Sequence, residues 1–172
     1  TFRKSKQFNK LLKTNTARGT GTTIFFRPDP KIFPKTIFDH ELIRERLQIA
    51  SYLHSGVHVT FENEPTQTKE SFQHEDGLAD YLVQIINDRG TTSIHESPFV
   101  LSKEHPTTAS RIELVLQWTE ATDEHLRSYV NGIPTGSGGT HENGTRSGIS
   151  KAVRNFVDTH NLSPKGVTIT SE

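Results

Sequence analysis

Cysteine is absent from all 172 residues, so neither a disulfide framework nor a thiolate metal site can hold this chain together. Stability must come from a packed core, and the length is enough for one ordinary domain or two small ones. Methionine is absent too, even at position 1, which fits a piece cut from a longer chain. No apolar run approaches the roughly 18 residues that a membrane helix requires, and no signal-like segment opens the sequence. The expectation is a soluble, cytoplasmic protein with no membrane partner. Asn143-Gly144-Thr145 fits a glycosylation sequon, but nothing else points to secretion.

Net charge is absent as well: 20 basic residues balance 20 acidic ones, which argues against a domain that coats nucleic acid through a basic surface. The balance is uneven along the chain. Six basic residues (Arg3, Lys4, Lys6, Lys10, Lys13 and Arg18) and no acidic ones precede Gly19, leaving 14 basic against 20 acidic residues beyond it, or −6. The basic segment 1–18 reads as a solvated end without fixed structure, or alternatively as an arm that touches nucleic acid.

Periodicity supplies the elements. Thr22 to Arg27 is β-branched and aromatic and is closed by Pro28-Asp29-Pro30, which predicts a strand and a turn. Asp39 is a good N-cap. Behind it, Leu42, Ile43, Leu47, Ala50 and Leu53 recur every three to four residues before Gly56, specifying a helix over 40–54. Val57, Val59 and Phe61 alternate with polar residues, and a run holding Phe72 follows Pro65, so a hairpin is expected. Leu78, Leu82, Ile85 and Ile86 mark a second helix from about Gly77 to Asn87-Asp88-Arg89-Gly90. Strands are expected at 99–101, 111–118 and 126–133, the last two paired through a turn near Thr122-Asp123. A glycine-rich connection over 134–144 leads to a helix whose buried stripe is Ile149, Ala152, Val153, Phe156 and Val157, with Thr140 as its cap; Val167 and Ile169 mark a final strand. Grouped strands with helices between them indicate an α+β fold.

Chemistry is harder to read from these residues. Gly139 to Arg146 imitates the spacing of a phosphate-binding P-loop, but Thr145 and Arg146 stand where that loop needs Lys and then Ser or Thr. A structural turn is the simpler reading. His54 and His58 have the spacing of helical zinc ligands, yet Gly56 should end the helix between them, so no metal site is expected. Glu41 and Glu45 lie on a helix with Arg44 and Arg46, where solvated charge pairing accounts for them. No nucleophile, base and orienting group can be assembled from spacing, so the residues alone leave the function open.

An ordered set of short motifs goes further. Thr20-Gly-Thr-Thr-Ile-Phe-Phe-Arg-Pro-Asp-Pro30 looks like the TGTxVxFxPDP strand of the gyrase B/ParE family. Phe38-Asp-His-Glu-Leu-Ile-Arg-Glu-Arg-Leu47 with Tyr52-Leu-His-Ser-Gly-Val57 matches that family's LxxRLRELxFLNxGV pattern. Glu113-Leu-Val-Leu-Gln-Trp118 resembles VEVALQW, Tyr129-Val-Asn-Gly-Ile133 follows, and Gly138-Gly-Thr-His141 is the family's GGTH. The chain thus resembles the ATPase subunit of bacterial type II DNA topoisomerases, in five segments and in the family's order.

The resemblance implies that residues 1–75 are the C-terminal portion of a GHKL-type ATPase domain. Residues 76–172 would be a transducer with the ribosomal-protein-S5-domain-2-like fold, a mixed sheet with helices on one face, truncated before the QTK loop. The family's Mg²⁺-binding asparagine, general-base glutamate and ATP lid would precede Thr1, so no catalytic residue is expected here, and the isolated piece should neither hydrolyse ATP nor hold ATP and Mg²⁺ tightly. Gln67-Thr68-Lys69 only coincides in letters with the QTK loop. The implied parent couples ATP hydrolysis to DNA strand passage. Its partners would be DNA, the DNA-cleaving subunit of the gyrase A/ParC type and a second copy of itself.

Carried over residue by residue, the adenine-pocket threonine falls on Thr22 and a pocket-lining valine is replaced by Ile24. DNA-facing basic positions fall on Arg146 and Lys151. Gly138, Gly139, Thr140 and His141 would form a structural loop. Arg146 is expected in the first turn of its helix, at the edge of the apolar stripe, where the helix dipole disfavours a cation. Two rival readings stay open: a non-enzymatic S5-like nucleic-acid-binding or interaction domain, and another GHKL ATPase of MutL type. The latter would not be expected to carry Leu-Gln-Trp and Gly-Gly-Thr-His in this register. Gyrase and topoisomerase IV are not distinguished.

Overall fold

A computed structural model describes residues 2, 3, 6, 7, 16, 18–163 and 166. It divides into two compact units, Thr1–Phe38 and Asp39–Glu172. The expected strand over Val167–Ile169 lies outside the described residues.

In the first unit, Phe2–Arg3 (β1) and Lys6–Gln7 (β2) form a small antiparallel ribbon, within a segment expected to lack structure. The expected strand over Thr22–Arg27 is not formed. No described strand pairs with it, and an extended segment without a ladder partner has nowhere but water to place its backbone hydrogen bonds. Ile24 and Phe25 are accordingly 81% and 89% exposed. The turn after it is real: Asp29 accepts from the amides of Ile32 and Phe33 at 2.9 Å through its carbonyl, and from that of Lys31 at 2.9 Å through its carboxylate.

The second unit begins with helix α1, His40–Leu53, whose cap Asp39 accepts from the Leu42 amide at 3.1 Å. The hairpin follows as predicted: β3 (Val59–Asn63) pairs antiparallel with β4 (Thr68–Phe72), Gln67 taking a positive φ in the turn. Helix α2, Leu78–Asp88, starts after Gly77 at φ 54°. These elements close on one another. Tyr52 of α1 stacks on Tyr81 of α2 with ring centroids 4.9 Å apart and packs against His74 at 3.6 Å. With Phe61, Phe72 and Ile86 they supply the buried hydrophobic side chains among the described residues. Arg44 of α1 grips Glu70 of β4 through Nε at 2.7 and 2.8 Å and lies over the Phe72 ring. The arginine holds the Glu70 carboxyl below its usual range.

Strand pairing departs from expectation in the second half of this unit. Phe99–Glu104 (β5) pairs with Arg111–Leu116 (β6), turning through 105–110. Residues 126–133 do not join β6. Tyr129–Val130 (β7) instead folds back on Ile133–Pro134 (β8) around Asn131 and Gly132, at φ 51° and 78°. The reason is local: Asn-Gly is the dipeptide that a tight type I′ hairpin demands, and Thr122-Asp123 carries no such conformational requirement. All strand pairs among the described residues are two-stranded and antiparallel, while the alternation of helices and ribbons is that of an α+β fold.

Helix α3 spans Thr140–Thr159. The N-cap is Gly139 without a side-chain bond, so Thr140 is the first helical residue rather than the cap. No residue of the helix is fully buried: Ile149 and Val157 are half-buried and Ala152, Val153 and Phe156 are exposed, so the anticipated buried stripe is only partly covered. No described helix is long and apolar enough to cross a membrane.

Candidate functional site

The β7–β8 ribbon and the start of α3 enclose an open cleft of about 350 Å³, lined by Glu124, Arg127, Ser128, Thr135, Gly138, Glu142 and Arg146 among others. The Asn131-Gly132 turn places Ser128 opposite Thr135 just beyond the paired residues, with the Thr135 amide donating to the Ser128 carbonyl at 3.0 Å. Both hydroxyls converge on the Glu142 carboxylate; Ser128 bonds it closely and Thr135 lies 3.3 Å away. Those bonds, with Arg146 nearby, hold the Glu142 carboxyl below its ordinary pKa. Glu142 also sits in the first turn of α3, where an anion suits the helix dipole. It therefore joins ribbon and helix.

The glycines preceding α3 leave room for the side chains that follow them. Gly138 has φ 74°, and a Cβ there would press on Glu142 at 3.3 Å. At Gly139 a Cβ would meet the His141 ring at 2.6 Å. His141 in turn lies 3.5 Å from the Thr135 hydroxyl, and Thr145 donates to the His141 carbonyl at 2.8 Å.

Arg146 occupies the next turns of α3. Its Nε donates to Glu124 at 2.9 and 3.3 Å, its Nη2 lies 2.8 Å from Glu124 Oε1, and its Nη1 lies 3.7 Å from Glu142. Since the helix begins at Thr140, Arg146 is beyond the first turn, and the dipole argument for its placement lapses. Lys151 is exposed further along α3. Five residues on, at about 100° per residue, it lies roughly 140° around the helix from Arg146, so the two present different faces.

On the other side of Glu124, Asp123 takes the Arg89 guanidinium, which also approaches His125 at 3.1 Å. Burial, then the nearby charges of Arg89 and Arg127, lower the His125 pKa. One stretch of irregular chain is thus tied to α2 and to α3 through adjacent carboxylates.

Thr22 and Ile24 are exposed in the unpaired segment of the first unit. Among the described residues no three His, Cys, Asp or Glu cluster as metal ligands. Sequence reasoning located Gly138, Gly139, His141 and Arg146 but missed Ser128, Thr135, Glu142 and Glu124. The spacing of Glu142 and Arg146 was visible as a helical i, i+4 pair. Ser128 and Thr135 could have been found by centring a hairpin on Asn131-Gly132; Glu124 carried no local signal.

The profile of the family described as DNA gyrase B matches residues 77–172, more than half of the chain. The chain belongs to the DNA gyrase B family. Among gyrase B-family relatives, the B subunit of DNA topoisomerase 4 from Haemophilus influenzae is 35% identical over 164 residues, 95% of this chain and 25% of that protein. The B subunit of DNA gyrase from Helicobacter pylori is 32% identical over 146 residues, 85% and 18%. The match therefore spans about a fifth to a quarter of the length of these relatives.

Solved structures of the same family agree. The 43K ATPase domain of Thermus thermophilus gyrase B, in complex with an aminocoumarin, superposes with a TM-score of 0.70 at 27% identity, over 83% of this chain and 38% of that one. The topoisomerase IV ATP-binding domain of Francisella tularensis, in complex with a small-molecule inhibitor, gives 0.66 at 26%, over 84% and 37%.

Proposed function

We propose that this chain is part of the ATPase subunit of a bacterial type II DNA topoisomerase, in which ATP binding and hydrolysis drive the passage of one DNA duplex through another. The observation that carries the reading is the match of one family along nearly the whole chain: the gyrase B profile covers residues 77–172, and the likeness to a gyrase B ATPase domain extends over 83% of the chain. In this reading residues 1–75 close the ATPase domain and 76–172 belong to the transducer. The Tyr52–Tyr81 stack joins helices on either side of that division. The subunit would act with a second copy and with the DNA-cleaving subunit.

Thr22 and Ile24 then contribute an edge of the adenine pocket. Both side chains are exposed and available to residues elsewhere in the subunit; among the described residues no three His, Cys, Asp or Glu gather as metal ligands, and the groups that hold the phosphates and Mg²⁺ are expected elsewhere in the subunit. Those groups belong to the parent, and the chain by itself should not turn over ATP. Gly138, Gly139, Thr140 and His141 build the loop that sets α3 against the ribbon, and Arg146 is the DNA-facing cation of the helix, with Lys151 a second basic position on a different face of it. The surrounding acidity suits a duplex that must be released as well as met.

The test uses the intact subunit with its DNA-cleaving partner. ATP-dependent decatenation or supercoiling is the expected result, and Thr22→Ala should weaken nucleotide binding roughly five- to a hundredfold by removing a hydrogen bond that the bound nucleotide would bury. ATP-independent or absent strand passage would defeat the reading. Unchanged nucleotide affinity in a folded Thr22→Ala variant would remove Thr22 from the pocket.

A further inference from the structure

The two carboxylates around Arg146 are not equivalent. Glu142 is only 13% exposed and is fastened by the Ser128 and Thr135 hydroxyls, so it cannot readily leave. Glu124 is 60% exposed and comes from a segment without regular structure, which Arg89 holds on either side of it at Asp123 and His125. Yet Glu124 holds the better half of the guanidinium, taking both Nε and Nη2, whereas Glu142 reaches one Nη1 at 3.7 Å. Both nitrogens converge on Oε1, and the side-on edge they present is one with which a guanidinium can also grip a phosphate.

We propose that Glu124 is a counter-ion that competes with DNA phosphate for Arg146, and so determines the DNA concentration at which the subunit responds. The proposal rests on the reading of Arg146 as a DNA-facing residue. A phosphate approaching α3 takes the place of Glu124 on Nε and Nη2, while Glu142 stays behind and keeps the guanidinium aimed. Exposed ion pairs are weak, so the exchange is easy in both directions, which favours capture followed by release. The displaced Glu124 frees its segment from α3 but leaves it tied to α2 through Asp123 and Arg89.

The experiment measures ATP hydrolysis by the intact subunit and its partner as linear duplex DNA is titrated, for Glu124→Gln, Glu124→Ala, Arg146→Gln and Glu124→Gln/Arg146→Gln, with near-ultraviolet circular dichroism to establish that each variant is folded. Both Glu124 variants should reach half-maximal stimulation at about two- to fivefold less DNA, since the phosphate no longer displaces a partner. The gain should vanish when Arg146 is also replaced. An unchanged or raised half-saturation point in both Glu124 variants, with stimulation weakened by Arg146→Gln, overturns the exchange and leaves Arg146 as a DNA contact. A gain that persists in the double variant reduces Glu124 to one negative charge among many and overturns it equally. Full stimulation in Arg146→Gln removes the functional reading of Arg146 and this inference with it.

Discussion

Residues 51–86 and residues 99–157 carry comparable apolar patterns, yet the first stretch holds every buried hydrophobic side chain among the described residues and the second holds none. The first is a sequence of neighbours. Helix α1, the β3–β4 hairpin and α2 are joined by short turns, so each apolar face meets the next element along the chain. In the second stretch, Phe99, Val100 and Leu101 are consecutive, a pattern that places apolar groups on both faces of a strand. A two-stranded ribbon cannot cover both of its own faces, and Phe99 and Val100 remain more than half exposed. Pattern declares what should be buried; burial itself needs a partner at hand.

Removing a buried ring should distinguish the regions most strongly. Phe72→Ala is expected to lower unfolding stability by about 3–5 kcal/mol, and Phe156→Ala, at an exposed site on α3, to change it by less than about 0.5 kcal/mol. Urea unfolding of the chain followed by tryptophan fluorescence and circular dichroism measures both. Equal losses would show that Phe156 is covered in solution and would erase the contrast.

A smaller effect separates two glycines that flank α2, both at positive φ. At Gly77 a Cβ would stand 3.2 Å from the Tyr52 carbonyl oxygen and 3.3 Å from Ser55, whereas at Gly90 it would meet open space. Gly77→Ala should cost roughly 2–3 kcal/mol and Gly90→Ala roughly 1 kcal/mol, the latter from conformation alone. Similar melting temperatures for the two variants would mean that the entry to α2 is less tightly packed than the geometry indicates.

Acidification should give the smallest change, and its sign follows from the shifted groups. His125, Glu70, Asp123 and Glu142 all have folded pKa values below their ordinary ones. The unfolded chain therefore binds more protons as pH falls, and the stability present above the ordinary pKa values is lost on acidification. The loss should begin with His125 below about pH 6.5 and continue with the carboxylates below about pH 4.5. Urea midpoints at pH 7.5 and 5.5 should differ in that direction, and His125→Asn should flatten this first limb. A midpoint that rises between pH 7.5 and 5.5 would contradict the assignment.

Much of the fold was legible locally. The Asp39 cap, the 3.6-residue period behind it, the alternation through Phe61 and the run from Leu78 to Ile86 specify their elements through contacts a few residues apart. The family was legible for a different reason: five short motifs keep their order even where this chain departs at Ile24. The β7–β8 hairpin is signalled by Asn131-Gly132, although Leu126, Tyr129, Val130 and Ile133 around it also give the composition of a single strand.

Other features depended on the tertiary structure. Thr22–Arg27 has the composition of a strand and no described strand to pair with, since propensity cannot supply a ladder. The stripe on α3 has the period of a buried face, but among the described residues Ala152, Val153 and Phe156 stay exposed. Arg146 is visible in the sequence as a cation four residues after Glu142, whereas its pairing with Glu124, 22 residues earlier, exists only because the chain turns at Asn131-Gly132 and again at Gly138. Local backbone preferences act over a turn or two and can be read from the residues themselves; which charge meets which across a fold is decided by where the intervening chain is able to bend.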